Sequence, residues 1–479
     1  MIDRHRSRGV QSTVAIFLVV LIFTALISQW LDISIVTKSL QTTNLLQDSP
    51  PHVYSDEFDC SSLNCSRISH VMTKKIINNP PPNACPEYFR WIHEDLRPWK
   101  NNGITREMVE KAKDFAHIRI VVVNGRVYTE RYKKAFQTRD SITIWGFLQL
   151  LRFYPGKLPD LDFVLECGDK PVIKKRDHLR PGASVPPLFH YCGDDFSYDI
   201  VLPDWSFWGW PEVNIKPWDE LKEDIREGNK RMKWKNREPY AYWKGNSKLG
   251  TARRDLIKCN ASDGKDWKAR LFGMDWHEEK KHGFKSSDLA SQCTYRYKIY
   301  VEGVSWSVSQ KYILACDSMT LIVKPRFHDF FTRSLSPTVH YWPIDEKNKC
   351  ESIKFAVEWG NKYTDKAQKI GKAGSTFVQE SLAMEYVYDY TFHLLNEYAK
   401  LMRYKPTVPR GAIETCSETL VCSVRGQKKR FFKHSMVKNP SNDLPCELPH
   451  FYEQGKLRDF LEMKENLTTQ VLSWERSER

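Results

Sequence analysis

The residues best placed to do chemistry fall in two groups. One is Asp169, in Phe163-Val-Leu-Glu166-Cys-Gly-Asp169, which follows an apolar run and a glycine. A carboxylate at the carboxyl end of a buried strand faces the crevice where α/β sheets bind ligands, so Asp169 is the candidate general base. Glu166 is its near neighbour. The other group is basic and hydroxylic. Lys244-Gly245-Asn246 precedes Arg253-Arg254, an arrangement in which a strand runs through a glycine turn into a helix start that suits a phosphate. Further on, Cys293 to Cys316 sets Gly303, Ser305, Ser307, Ser309 and Lys311 among apolar and aromatic residues. Glycine admits close backbone approach, and hydroxyls there could bond sugar or phosphate oxygens. The alternative for this stretch is a plain core strand and helix. Trp205-Ser-Phe-Trp208 offers flat faces for a sugar ring or, equally, for the core.

Asp160-Leu-Asp162 has the form of a metal-holding pair of carboxylates, but it opens a strand behind Lys157-Leu-Pro159 and reads as a turn. No metal site and no cofactor are expected. Sequences of the G-x-S-x-G, H-E-x-x-H and phosphate-loop types are absent, which removes the common hydrolases, zinc peptidases and P-loop enzymes.

The elements that must position these groups read as α/β. Ile118–Val123 is a continuous β-branched strand, Asn124-Gly125 a hairpin turn and Arg126 the start of the next strand. A helix over 141–153 and a strand over 162–165 follow. A polar helix over 218–235 leads to a second half, with strands over 241–246, 297–301 and 319–323 and helices beginning near 251, 309 and 353. One long helix is expected over 375–401, and then a basic tail.

The chain has 479 residues, enough for two domains, and its net charge of +14 is spread among many acids. No nucleic-acid signature appears, and nucleic acid is not an expected partner. Residues 13–31 carry no charge over 19 positions and follow Arg4, Arg6 and Arg8. That pattern predicts a signal anchor with residues 1–12 cytoplasmic, a membrane partner at 13–31 and a lumenal body. A polar, proline-ended stem is expected over 32–84 as a spacer. Sequons at Asn64, Asn260 and Asn466 suit a lumenal body. The twelve cysteines show no zinc spacing, and Cys60/Cys65 and Cys416/Cys422 are candidate local disulfides. With no retrieval tetrapeptide at the end of the sequence, the expected location is the Golgi membrane, as a single-pass type II protein.

Several ordered motifs carry a resemblance. Glu94-Asp-Leu-Arg97-Pro-Trp, Leu161 to Pro171, Trp205-Ser-Phe-Trp208, Ala241-Tyr-Trp-Lys-Gly245, Arg254-Asp255, the Cys293–Cys316 block with Lys311, and Val339-His340-Tyr341 resemble glycosyltransferase family ninety. That family comprises the Rumi-like protein O-glucosyltransferases and the capsule-associated xylosyltransferases, and the flavour here is of the plant branch. The resemblance implies a GT-B fold: two Rossmann-like domains facing a cleft, here 85–215 for the acceptor and 216–380 for a UDP-sugar, with 381–479 wrapping back. It implies metal-independent inverting transfer of glucose or xylose from a UDP-sugar to a glycan or glycoprotein acceptor. Asp169 falls on the family base, Gly245 and Asn246 on the nucleotide strand, Arg254 on the helix-start arginine and Ser305 to Lys311 on the second nucleotide segment. A Cys293–Cys316 disulfide is implied as well. Two positions depart, because the Rumi-like members have arginine at Ser309 and serine at Asn246. The diphosphate charge is then left to Lys311 or Arg253. The expected function is a Golgi-lumen transferase. The alternatives are a protein O-glucosyltransferase of the secretory pathway and an inactive sugar-binding descendant.

Overall fold

The structure is a computed structural model, and it describes Phe58, Cys60, Cys65 and residues 83–478 apart from 181, 263 and 454. The predicted anchor at 13–31 and the cytoplasmic tail lie outside the described residues.

Two sheets organise the body. The first has the order β13-β2-β1-β3-β4-β6. Its strands are β1 (Ile118–Val123), β2 (Arg126–Arg131), β3 (Leu161–Leu165), β4 (Phe189–His190), β6 (Ile200–Val201) and β13 (Ile413–Glu414). The second has the order β12-β10-β9-β7-β8, from β7 (Glu238–Gly245), β8 (Ala269–Gly273), β9 (Tyr295–Tyr300), β10 (Met319–Val323) and β12 (Trp342–Ile344). Every pairing in the second sheet is parallel, the arrangement expected when helices cross between successive strands. The first sheet is mixed: β1 runs antiparallel to both β2 and β3, while β3, β4 and β6 are parallel. The expectation of two Rossmann-like sheets is therefore corrected for the first. Asn124, at φ 51°, and Gly125, at φ 72°, make a two-residue reversal, which can join only antiparallel strands.

Two short strands cross from one half to the other. β11 (Phe327–His328), from the second half, pairs antiparallel with β5 (Gly193–Asp194) of the first. The apolar residues form one large core under the first sheet, extending to the Trp306–Cys316 region, and a second core around β7, β9, β10 and β12.

The expected long helix over 375–401 is two helices, Thr364–Ser381 and Met384–Leu401. They part at Leu382, whose carbonyl accepts the Trp218 indole N–H at 2.7 Å rather than a helical amide. The break lets the first helix cover the second sheet while the next returns to the first core.

The cysteine bridges also differ from the local pairs expected. Cys60 joins Cys422, Cys65 joins Cys416, Cys85 joins Cys446 and Cys259 joins Cys350, while Cys293 joins Cys316. Phe58 lies with its ring 6.3 Å from that of Trp145. These stem residues are thus fastened to the body and do not act as a spacer there. The reason is geometric: three bridges close loops of more than 350 residues, bringing both ends of the body together.

At the centre of the first sheet the Asp160-Leu-Asp162 stretch has a structural task. Asp160 accepts the Asn124 amide at 2.8 Å, which braces the hairpin turn. Asp162 is fully buried and takes both Nε and Nη2 of Arg119 at 2.6 Å, with the Tyr404 hydroxyl at 2.9 Å. Removing one partner of such a pair strands the other charge. Asp162→Ala is expected to cost about 3–5 kcal/mol of stability, read as a fall in the denaturant midpoint at unchanged slope.

Candidate active site

Asp169 ends the loop that leaves β3, and its carboxylate is half-exposed. Its Oδ1 accepts from Arg139 Nη1 at 3.0 Å, and Arg139 is the first residue of the Arg139–Phe153 helix. That guanidinium is buried, donates also to the Cys167 carbonyl at 3.2 Å, and lies 4.4 Å from the centre of the Trp205 ring. Arg139 is the residue that sequence reasoning missed. In the sequence it lies two residues before the helix expected over 141–153 and thirty positions from its partner, so no local pattern marked it.

Glu166, the near neighbour, is a different kind of carboxylate. It is buried, 2.8 Å from His190 Nε2 and 3.3 Å from His117 Nδ1, and accepts the Gly168 amide at 2.6 Å. Burial pushes its carboxyl up, but the adjacent His117 and His190 outweigh burial and hold it at about 2. Glu166 therefore shapes the loop that presents Asp169. Two thiols flank the same loop: Cys192 Sγ donates to the Asp169 carbonyl at 3.3 Å, and Cys167 is buried. Burial raises both thiols, Cys167 to about 12, so neither is a ready nucleophile.

The basic group assembles at the end of β7. Arg253 is buried and reaches three segments, with Nε on the Glu302 carbonyl at 3.2 Å, Nη1 on the Asn246 carbonyl at 3.5 Å and Nη2 on Ser307 Oγ at 3.1 Å. Ser307 Oγ and Ser309 Oγ are 2.9 Å apart. Gly250, at φ 79°, precedes the short Thr251–Ile257 helix, and a Cβ there would lie 2.3 Å from the Gly303 carbonyl. Asn246, Arg253, Gly303, Ser307 and Ser309 thus form one cluster around a guanidinium, with Gly245 next to it and Ser305 buried beneath.

Other expected residues lie elsewhere. Arg254 is exposed and donates to the Lys248 carbonyl at 3.4 Å, because one residue along a helix turns the side chain by about 100°. Lys311 is buried, with Nζ 2.6 Å from Ser206 Oγ and 3.5 Å from Asp204, so its ammonium already has partners. Burial lowers its pKa against the opposing pull of Asp204 and Asp329. Trp205 and Trp208 are both buried and offer no face to a sugar. Trp208 donates to the Tyr388 hydroxyl at 3.2 Å and fills the space over Gly146. Of the sequons, Asn64 lies outside the described residues. Asn260 spends its amide on the Leu271 backbone, and Asn466 is exposed on the Lys456–Ser477 helix.

One side chain joins the two groups. Trp306, between Ser305 and Ser307, lies 6.2 Å from Trp205, 6.0 Å from Tyr191 and 6.1 Å from His190, ring centre to ring centre. Trp205 in turn covers the guanidinium that holds Asp169. A run of ring and guanidinium contacts therefore links the half-exposed carboxylate of the first sheet to the segment that bears the buried arginine's hydroxyl partners.

The model for glycosyl transferase family 90 matches residues 81–475. The chain belongs to that family. Similar proteins include protein O-glucosyltransferase 1 of Homo sapiens, 29% identical over 68% of this chain and 83% of its own. The O-glucosyltransferase rumi of Drosophila melanogaster is 23% identical, over 75% of this chain and 88% of its own. Protein O-glucosyltransferase 1 of Bos taurus is 29% identical over 69% and 84%. The family establishes a glycosyltransferase of α/β architecture. These relatives correct the expectation of a single-pass Golgi membrane enzyme, since they are protein O-glucosyltransferases. Among the described residues no helix is long and apolar enough to cross a membrane.

The Glu166 environment yields a pH prediction. A carboxyl held near 2 in the fold and near its ordinary value when unfolded stabilises the protein above about pH 4.5, and that contribution is lost as pH falls towards 2. Glu166→Gln is expected to flatten the acid limb of a stability-against-pH curve across this window. An unchanged acid limb would rule the assignment out.

Proposed function

We propose that this chain is a protein O-glucosyltransferase: it moves glucose from UDP-glucose to a hydroxyl of a polypeptide with inversion and without a metal. The observation that carries the reading is the run of contacts that links Asp169 to the Arg253 cluster through Arg139, Trp205 and Trp306. The named activity of the relatives supports the choice of sugar and of acceptor. Five disulfides suit an oxidising, lumenal compartment.

In this reading Asp169 takes the proton of the acceptor hydroxyl, whose oxygen attacks the anomeric carbon from the face opposite the diphosphate. The bond from that carbon to the diphosphate oxygen breaks, and negative charge grows on UDP. Arg139 holds the Asp169 carboxylate in place and leaves its second oxygen to the substrate. Arg253, with Ser307, Ser309 and the backbone around Gly245 and Asn246, stabilises the departing charge. The serine at 309 makes sense here. Lys311 is committed to Ser206 and Asp204, whereas the Arg253 guanidinium lies one hydroxyl away from Ser309. Arg253 thus takes the part that the Rumi-like members give to an arginine at that position.

Two substitutions test this reading. Asp169→Asn is expected to lower kcat at least a hundredfold while leaving UDP affinity and thermal midpoint unchanged, because the amide cannot accept the proton. Retained transfer with the asparagine excludes Asp169 as the base. Arg253→Lys is expected to weaken UDP binding about tenfold by calorimetry, and Arg254→Ala to change it far less. The reverse ranking would return the diphosphate to Arg254.

A further inference from the structure

Beside the start of the Arg139–Phe153 helix lies a cavity of about 300 Å³ that the reaction above does not use. Arg131, Lys134, Gln137, Asp140, Ser423 and Lys428 line it, three cations against one carboxylate. Arg131 is already paired with Asp140, so Lys134 and Lys428 are the cations left over. Lys428 is half-buried on the Gly426–His434 helix, and among the described residues it makes no ion pair or hydrogen bond. Its nearest described partner is the Phe432 ring at 5.6 Å. The carboxylates of Asp140 and Glu212 act on it from a distance, and burial still lowers its pKa. A cation held partly out of water without a partner is costly, and an incoming anion would offset that cost.

Two features place this cavity in reach of the acceptor. Ala135 and Gln137 line it, while Phe136 between them lies exposed, 5.1 Å from the guanidinium of Arg139 that holds Asp169. The recess therefore adjoins the short stretch of chain that leads into Arg139. The Gln137 carboxamide also accepts from Trp210 at 2.7 Å, and Trp210 lies against Trp205 at 5.2 Å. The opposite wall is fixed as well. It comes from the Ser417–Cys422 and Gly426–His434 helices, which Cys60–Cys422 and Cys65–Cys416 fasten down.

We infer that this recess is an acceptor subsite that takes a carboxylate side chain, Asp or Glu, of the polypeptide being glycosylated. The inference rests on the protein O-glucosyltransferase reading for the identity of the acceptor. Lys428 and Lys134 supply the charge, Gln137 and Ser423 neutral hydrogen-bonding groups, and Phe136 an apolar step between the recess and Asp169. Donor phosphates belong to the Arg253 cluster, in the other sheet.

The test uses the full chain and a fluorescently labelled hexaglutamate peptide, with hexalysine as the opposite charge. Hexaglutamate is expected to bind and hexalysine not, with affinity falling as salt rises. Lys134→Gln with Lys428→Gln should weaken binding about tenfold, and Lys428→Arg should keep it. Lys362→Gln, an exposed lysine on the Lys349–Lys362 helix, should change nothing. Equal weakening by the Lys362 variant, or none by the double variant, overturns the subsite. UDP-glucose hydrolysis by the same samples reports separately on the transferase reading. Peptide binding without any UDP-glucose turnover would overturn the acceptor role.

Discussion

The structure depends on a weld between a segment of the second sheet's half and a loop of the first. Lys311 and Tyr312, on the Ser309–Ala315 helix, both bond Ser206 Oγ, at 2.6 and 3.0 Å. Asp204, two residues earlier, accepts from the Ser206 amide at 2.7 Å and faces the same ammonium. An ammonium removed from water is tolerated only where carboxylate and hydroxyl oxygens replace its hydration. Here the replacement comes from a residue more than 100 positions away, so the ion can be satisfied only when both halves are in register.

That registration sets the position of Trp306. The hydroxyl segment at 305–309 is continuous with the helix bearing Lys311, so anchoring the lysine also anchors Trp306 against Trp205, Tyr191 and His190. Trp205 lies on the Arg139 guanidinium, and Arg139 holds Asp169. The carboxylate and the Arg253 cluster are therefore spaced by stiff aromatic rings, which suits the proposed transfer, in which base and leaving group stand on opposite sides of one carbon. Glu166 holds the same loop from behind through two histidines.

How much of this was legible in the sequence follows from the range of each interaction. β1, β3 and β10 could be read because their apolar runs are local and their burial requires no knowledge of partners. The place of Asp169 on the loop after β3 could be read as well, from an apolar run and a glycine. Lys311 could not, because a lysine's partner lies outside any window of periodicity, and the residue looks the same whether free or buried. The choice between Arg253 and Arg254 was undecidable for a related reason: adjacent helical residues point about 100° apart, and only the placement of 302–307 shows which side is the inner one. The cysteines misled by proximity. Cys60 and Cys65 each bond a residue of the pair Cys416 and Cys422, so two short spacings became two long bridges.

Those bridges bear on the first sheet itself. The first sheet ends in β13, a two-residue strand that pairs with β2 and comes from the tail. A two-residue strand adds little by its own ladder, since so few backbone groups are fixed per chain segment ordered. What holds it is the adjoining Cys65–Cys416 bridge and the buried Thr129–Thr415 hydroxyl contact at 2.8 Å. The tail is thus a working part of the first sheet: it closes the edge that carries the β1–β2 hairpin. From there the chain runs into the helices that wall the cationic recess, so the order of the recess depends on residues at both ends of the body.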